Sequence, residues 1–405
     1  MDRKIHSGIM LVLLLISILT LTFNIQLVKA SGTIYIRPDG TIDPPTAPIE
    51  RDGDFYRLTA NIVSEGHAIE IERDNMMLDG DGHILQGGGS GIFLWGRRNV
   101  TVKNLNIEGF VFGIYMRSSY SNTISRNNIT GGGYYLTHGI WVDGGASNVI
   151  SGNNITNYEI GIEFLGYSNN NNISANNIAA TLTHACMLRY SSGNDILDNN
   201  IMASQYSGIS MGLSSNYNNI CGNSIVNSEV GIFVAMCSNN AIFHNNFVGN
   251  IEQVFSYSAN NAWDDGYPSG GNYWSNYEER YPDAEELDGS GIWDTPYETD
   301  WNDQDNYPLM KPWAPAPPIP TTIGELNSEI MELGSGGEID NQGIVTSLLA
   351  KLDAAQKLID EGKIDQAKNL LNAFINEVQA QSGKHITPEA AELLIQSAEH
   401  ILSTL

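Results

Sequence analysis

The chain has 405 residues, 46 of them acidic and 20 basic, for a formal charge of −26. That balance excludes a nucleic-acid partner and an anionic membrane surface, because phosphate binding needs a basic footprint. Three Cys exclude a disulfide-dense scaffold, and 41 Gly among abundant Asn and Ser are foreign to a helix bundle.

Residues 1–30 read as a targeting segment. Arg3 and Lys4 precede an apolar run from Ile9 to Phe23, and Val28-Lys29-Ala30 fits a small-residue cleavage site before Ser31. The run is short for a membrane span. The expectation is a cleaved secretory signal, with an uncleaved anchor as the alternative. The mature chain is then secreted or at the cell surface, with no transmembrane helix.

Residues 31–250 repeat. Gly-Ile recurs at Gly91, Gly113, Gly139, Gly161, Gly208 and Gly231, with Ala185-Cys186 in the missing place. A second phrase, Asn-x-Ile-x-x-Asn-Asn-Ile, runs out of step with it, as at Asn122 to Ile129 and Asn194 to Ile201. Short alternating segments at a period of about 23 residues predict one coil of a parallel β-solenoid. Ile92, Ile114, Ile140, Ile162, Ile209 and Ile232 would stack as one inward ladder. Leu94, Met116, Val142, Phe164, Leu188, Met211 and Val234 would form a second. Asn128, Asn154, Asn177, Asn200 and Asn246 are expected to stack at a turn, each side-chain amide bonding its neighbours.

At residues 251–313 the repeat stops. This segment carries 14 acidic residues against Arg280 and Lys311, and five of the seven Trp. A solenoid needs its last coil covered, and the segment is read as that cap. Residues 314–321 are a Pro-rich linker. Residues 322–405 change to helical spacing, with Thr387 as N-cap and Pro388 at the first position of the last helix. They make a small module of three or four helices.

Three stretches carry a resemblance. The Gly-Ile and Asn-x-Ile coils resemble the right-handed, single-stranded parallel β-helix of the NosD-like family, within the carbohydrate-binding and sugar-hydrolase β-helix group. Trp263-Asp-Asp-Gly-Tyr-Pro-Ser-Gly-Gly-Asn-Tyr-Trp274 is similar to the tail that closes such helices in archaeal surface proteins. Leu348 to Gln356 and Leu371 to Gln381 resemble the FIMAH domain of extracellular proteins. The resemblance implies a mainly β fold with a C-terminal helical domain. It is poor for activity, because the fold hosts many chemistries. NosD also implies copper, yet no cluster of soft donors stands in the sequence: Cys186 takes an Ile slot, and Cys221 and Cys237 share no column.

Outward positions of the Gly-Ile strands give the candidate site. Phe93, Tyr115 and Trp141 would make an exposed aromatic stripe, flanked by Trp95, Arg117, Asp143, Glu163 and Arg189. Such a stripe could stack sugar rings. Alternatively, the loop Gly131 to Thr137 covers it. Asp143 and Glu163, on adjacent coils, would lie roughly 8 Å apart, within the range of an inverting glycosidase pair; alternatively Arg117 neutralises Asp143. His138 and His184, two coils apart, are expected to pack. Calcium is the one cofactor the oxygen-rich turns admit, through Asp288, Asp294, Asp300, Asp303 and Asp305; the alternative is a solvated acidic loop.

The reading is a secreted or cell-surface β-helix protein that binds extracellular polysaccharide or glycan through Phe93, Trp95, Tyr115, Arg117, Trp141 and Arg189. A hydrolase or lyase using Asp143 and Glu163 is the enzymatic alternative. A structural or adhesive protein, held to a cell-envelope component by the helical module, is the third, and a copper-related accessory protein the last.

Overall fold

The computed structural model describes residues 28–29, 32–299, 303–314 and 320–405. The expected signal segment, but for the backbone of Val28–Lys29, and linker residues 315–319 lie outside the described residues. The described residues form two compact units, one ending at Ala314 and one beginning at residue 320.

The first unit is a β-solenoid with three sheets of eleven strands. Each coil gives one strand to each sheet, as in Phe112–Arg117, Thr123–Ser125 and Asn128–Thr130. Successive coils pair in parallel and in register, so like residues stack. Ile92, Ile114, Ile140, Ile162, Cys186, Ile209 and Ile232 pair in turn. All are fully buried, as are the Leu94 to Val234 residues two positions on. The Asn-x-Ile-x-x-Asn-Asn-Ile phrase supplies the other two walls: Ile124 heads a column through Ile150, Ile173 and Ile196, and Ile129 one through Ile155, Ile178 and Ile201. Burying each such side chain is worth about 1.5–3 kcal/mol.

The glycine of Gly-Ile is set by the next wall. A Cβ on Gly139 would lie 2.4 Å from Ile155 Cγ2 and 2.6 Å from the Gly161 carbonyl oxygen. Gly139→Val is therefore expected to lower stability by about 1–3 kcal/mol in denaturant titration; an unchanged midpoint would show that the coil relaxes around the added carbons.

The asparagine expectation was one residue out of place. Asn128, Asn154, Asn177 and Asn200 do bond one another, but at the half-exposed or exposed start of their strands. Two further Asn columns stand at the corners, buried except for the terminal Asn261. One runs Asn122, Asn148, Asn171, Asn194, Asn218, Asn240 and Asn261. The other runs Asn127, Asn153, Asn176, Asn199, Asn223, Asn245 and Asn272. In each step the side-chain oxygen of one Asn accepts both the backbone N–H and the side-chain amide of the Asn in the coil before, as Asn176 does for Asn153. The corners bend the chain away from sheet bonding, and these side chains satisfy the backbone groups left buried there.

The acidic segment closes the C-terminal end. Phe247, Trp274 and Tyr297 stack at 4.5 and 4.2 Å between ring centroids, extending the Ile129 column out of the solenoid. A single helical turn, α1 (Tyr277–Arg280), packs Tyr277 on Trp293. Both Asn columns end on carboxylates of this segment: Asn261 N–H donates to Asp303 Oδ2 at 2.9 Å, and Asn272 N–H to Asp305 Oδ2 at 2.7 Å.

The second unit has four helices, α2 (Ile323–Gly336), α3 (Gln342–Asp360), α4 (Ile364–Gln381) and α5 (Pro388–Thr404). Thr322 and Glu325 form a capping box at α2, and Thr387 caps α5 with Pro388 in its first turn. Leu326, Leu348, Leu352, Leu371, Phe374 and Leu394 make its core. No helix among the described residues is long and apolar enough to cross a membrane.

Candidate functional site

The outer face of the Gly-Ile sheet carries the chemistry. Its relevant strands are β1 (Ile69–Ile71), β2 (Ser90–Trp95), β3 (Phe112–Arg117), β4 (His138–Asp143), β5 (Ile160–Leu165) and β6 (His184–Arg189). Their register sets two outward columns. One is Glu70, Phe93, Tyr115, Trp141, Glu163 and Met187. The other runs Trp95, Arg117, Asp143, Leu165 and Arg189, and Glu72 follows β1 directly, one coil before Trp95.

The aromatic stripe exists, but its ring faces meet each other. Tyr115 and Trp141 stack at 4.6 Å with 10° between planes, Phe93 lies 5.2 Å from Tyr115, and His67 stacks on Phe93 at 4.9 Å. The distance between paired strands is about 4.8 Å, so rings in one column close on one another and turn their edges outward. In the loop from Gly131 to Thr137 the large side chains Tyr134, Tyr135 and Leu136 are 72%, 69% and 79% exposed. Trp95 differs. It is 61% exposed, with the Arg117 guanidinium 5.7 Å from its ring centre. It borders a groove of about 660 Å³ lined by Pro38, Glu70, Glu72 and Arg97.

Glu163 faces outward as expected but is only 1% exposed. His138 Nε2 lies 2.7 Å from one carboxylate oxygen, and Arg189 Nε donates to the other at 2.9 Å. Burial pushes its pKa up, but these two partners outweigh burial and hold it below the usual carboxylate range. Asp143 keeps Tyr115 Oη at 3.5 Å and Arg117 Nε at 3.7 Å. Asp143 and Glu163 thus do not face solvent as two free carboxylates; the second is enclosed by a histidine and an arginine. His184 also belongs to the outer face, where its Nδ1 meets Ser207 Oγ at 2.6 Å and burial lowers its pKa to about 4.

The acidic turns have other partners as well. Asp288 accepts from Tyr267 Oη at 2.6 Å, and Asp294 from Glu285 N–H and Thr295 Oγ1. Asp303 and Asp305 terminate the Asn columns, and Asp300 lies outside the described residues. Among the described residues no three His, Cys, Asp or Glu gather as a metal-binding group.

Glu70 and Glu72 were missed because Ile69-Glu-Ile-Glu72 lacks the Gly-Ile phrase. The signal was available: Ile69 stands 23 residues before Ile92, its pairing partner.

A family model described as periplasmic copper-binding protein (NosD) matches residues 74–279. The chain belongs to the NosD family. A FIMAH domain model matches residues 323–403. Among solved structures, this NosD-family chain is similar in fold to the Dettilon tailspike protein, at 16% identity and a TM-score of 0.43 over 61% of this chain. The chain spans 58% of that tailspike's length. The periplasmic alginate epimerase AlgG is similar at 15% identity and a TM-score of 0.35, over 59% of this chain and 74% of that one. PfbA, a surface adhesin of Streptococcus pneumoniae, is similar at 16% identity and a TM-score of 0.33, over 49% of this chain and 59% of that one. No protein with a curated description matches the sequence significantly.

The residues do not fit the copper of the family description. Copper(I) needs clustered thiolate, thioether or imidazole donors. Cys186 is fully buried in the hydrophobic ladder, where burial pushes its thiol pKa up to about 12. Cys237 is buried and bonds the Ala235 carbonyl, and Cys221 stands in a different sheet. His138 and His184 are taken by Glu163 and Ser207.

Proposed function

We propose that this NosD-family protein is secreted or held at the cell surface and binds extracellular polysaccharide along the outer face of the Gly-Ile sheet. The observation that supports it most is Trp95, a large ring left 61% exposed at the edge of a groove lined by carboxylates and arginine. An exposed aromatic beside a few fixed polar groups is the usual make-up of a small-ligand site. Sugar rings offer an apolar face to Trp95, and their hydroxyls suit Glu72, Arg97, Arg117 and Asp143. One coil advances about 4.8 Å, close to the length of one hexose in an extended chain, so a polymer lying along the axis meets one coil per sugar.

Trp95→Ala is expected to weaken retention of the bound polysaccharide at least about tenfold in affinity gel electrophoresis, while Tyr134→Ala, on the outlying loop, leaves it unchanged. Equal retention by wild type and Trp95→Ala would move the site away from this groove. Parallel runs with and without calcium test the oxygen-rich turns: an effect of calcium on retention or melting would assign them a metal.

A further inference from the structure

We propose that the groove beside Trp95 hydrolyses glycosidic bonds, with Glu70 as general acid and Glu72 as general base, in a polysaccharide laid along the solenoid axis. This rests on the glycan-binding reading of the same face.

Glu70 stands in the middle of β1 and Glu72 directly after its last residue, two positions on, and both turn to the same groove. Both are half-buried around the fully enclosed Ile71, and both line the groove. Glu72 N–H donates to the Ile36 carbonyl at 2.9 Å, so the extended pairing of β1 runs through it. Two residues of extended chain advance about 6.7 Å, which sets the spacing from which the two side chains rise toward the groove they both line. That spacing lies in the range for inverting glycosidases, about 6.5–9.5 Å, which leaves room for a water. The strand runs across the solenoid axis, so a chain lying along the axis passes between the two carboxyls.

Their surroundings differ as the two roles require. Glu70 pairs with Tyr35 in the preceding coil and Phe93 in the next. Among the described residues its carboxyl has no hydrogen-bond partner. Burial, and then the charge of Glu72, raise its pKa above the ordinary glutamate value, which favours the protonated form an acid needs. Glu72 instead receives Arg37 Nη1 at 3.2 and 3.3 Å on its two oxygens, and that guanidinium rests 4.0 Å from the Tyr35 ring centre. Trp95 lies one coil beyond Glu72. A sugar on Trp95 therefore places its neighbour, and the bond between them, over the glutamate pair.

The step balances without a co-reactant other than water. The Glu70 carboxyl proton passes to the glycosidic oxygen as the bond from that oxygen to the anomeric carbon breaks. Water attacks the anomeric carbon from the opposite side and gives a proton to Glu72. Two shorter chains result, the new reducing end has inverted configuration, and proton exchange with solvent resets both carboxyls.

The test incubates the whole chain with xylan, mixed-linkage β-glucan, laminarin, alginate and polygalacturonate, scoring polymer retention and new reducing ends separately. Expected is release from at least one retained polymer, a loss of about 10²-fold or more in Glu70→Gln and in Glu72→Gln with retention unchanged, and loss of both readouts in Trp95→Ala. Retention by wild type without release overturns the hydrolysis and leaves the binding reading standing. Release that survives Glu70→Gln overturns the assignment of the acid. Retention of none of the five polymers overturns both readings.

Discussion

Replacing Asn176 by alanine lowers the stability of the solenoid by about 3 kcal/mol or more. Its side-chain oxygen accepts from the Asn153 backbone N–H and side-chain amide, both at 3.0 Å. Its own amide donates to the Ile150 carbonyl at 2.8 Å and to Asn199 Oδ1 at 3.0 Å. These groups are enclosed, so truncation removes four bonds and leaves the Asn153 backbone N–H without its acceptor and the Ile150 carbonyl without the Asn176 amide, while Asn199 Oδ1 keeps the Asn176 backbone N–H. Each buried group left unmade costs about 1–3 kcal/mol, discounted for whatever the coil recovers by shifting. Asn177, the next residue, bonds Asn154 and Asn200 at the half-exposed start of its strand, and there water replaces what is lost. Asn177→Ala is therefore expected within about 1 kcal/mol of wild type. Urea titration of both variants decides the matter, and equal midpoints would contradict the assignment of the structural column to Asn176.

Asp305→Ala is the second large effect, at the end of the same column. Asp305 is fully buried and accepts three N–H groups, from Asn272 at 2.7 Å, Trp274 Nε1 at 2.9 Å and Tyr307 at 3.1 Å. Its loss orphans all three and unfastens the Trp274–Tyr297 stack, for an expected cost of about 3 kcal/mol or more. The site also has a pH signature. Burial, opposed by the three donors, pushes the Asp305 pKa up to about 7 from an ordinary 3.8. Between those values the folded chain holds a proton that the unfolded chain releases, so stability falls as pH rises from about 4 to about 7. The contribution is complete below about pH 4 and gone above about pH 7, and amounts to at most about 4 kcal/mol. Asp305→Asn removes that slope. A slope unchanged in Asp305→Asn would place the titrating group elsewhere.

The fold was legible because a solenoid writes its period into the sequence. Gly-Ile and Asn-x-Ile recur once per coil, and stacking in register turns those phrases into the Ile92, Ile124 and Ile129 columns. What period alone cannot supply is the phase of a corner. Asn127 and Asn128 are adjacent and chemically identical, yet one turns in and the other out, and only the backbone bend decides between them. The surroundings of the candidate site were illegible for the same reason. Phe93, Tyr115 and Trp141 were placed on the correct face, but stacking at the strand spacing consumes their ring faces. Glu163 was placed outward, but His138 and Arg189 close over it. Glu70 stands in the same column and was overlooked because β1 lacks the glycine that marked the later coils. That Asp303 and Asp305 end the Asn columns was not legible, because a carboxylate that ends an Asn column and one that binds an ion share the same composition.

The measurement that bears most directly on the function is retention of defined polysaccharides by wild type and Trp95→Ala in parallel, at matched folding judged by far-ultraviolet circular dichroism. Retention by wild type that is lost in Trp95→Ala is the predicted result, and it fixes the glycan to the outer face of β1 to β3. Retention undiminished in a folded Trp95→Ala protein, or none by wild type, would contradict it.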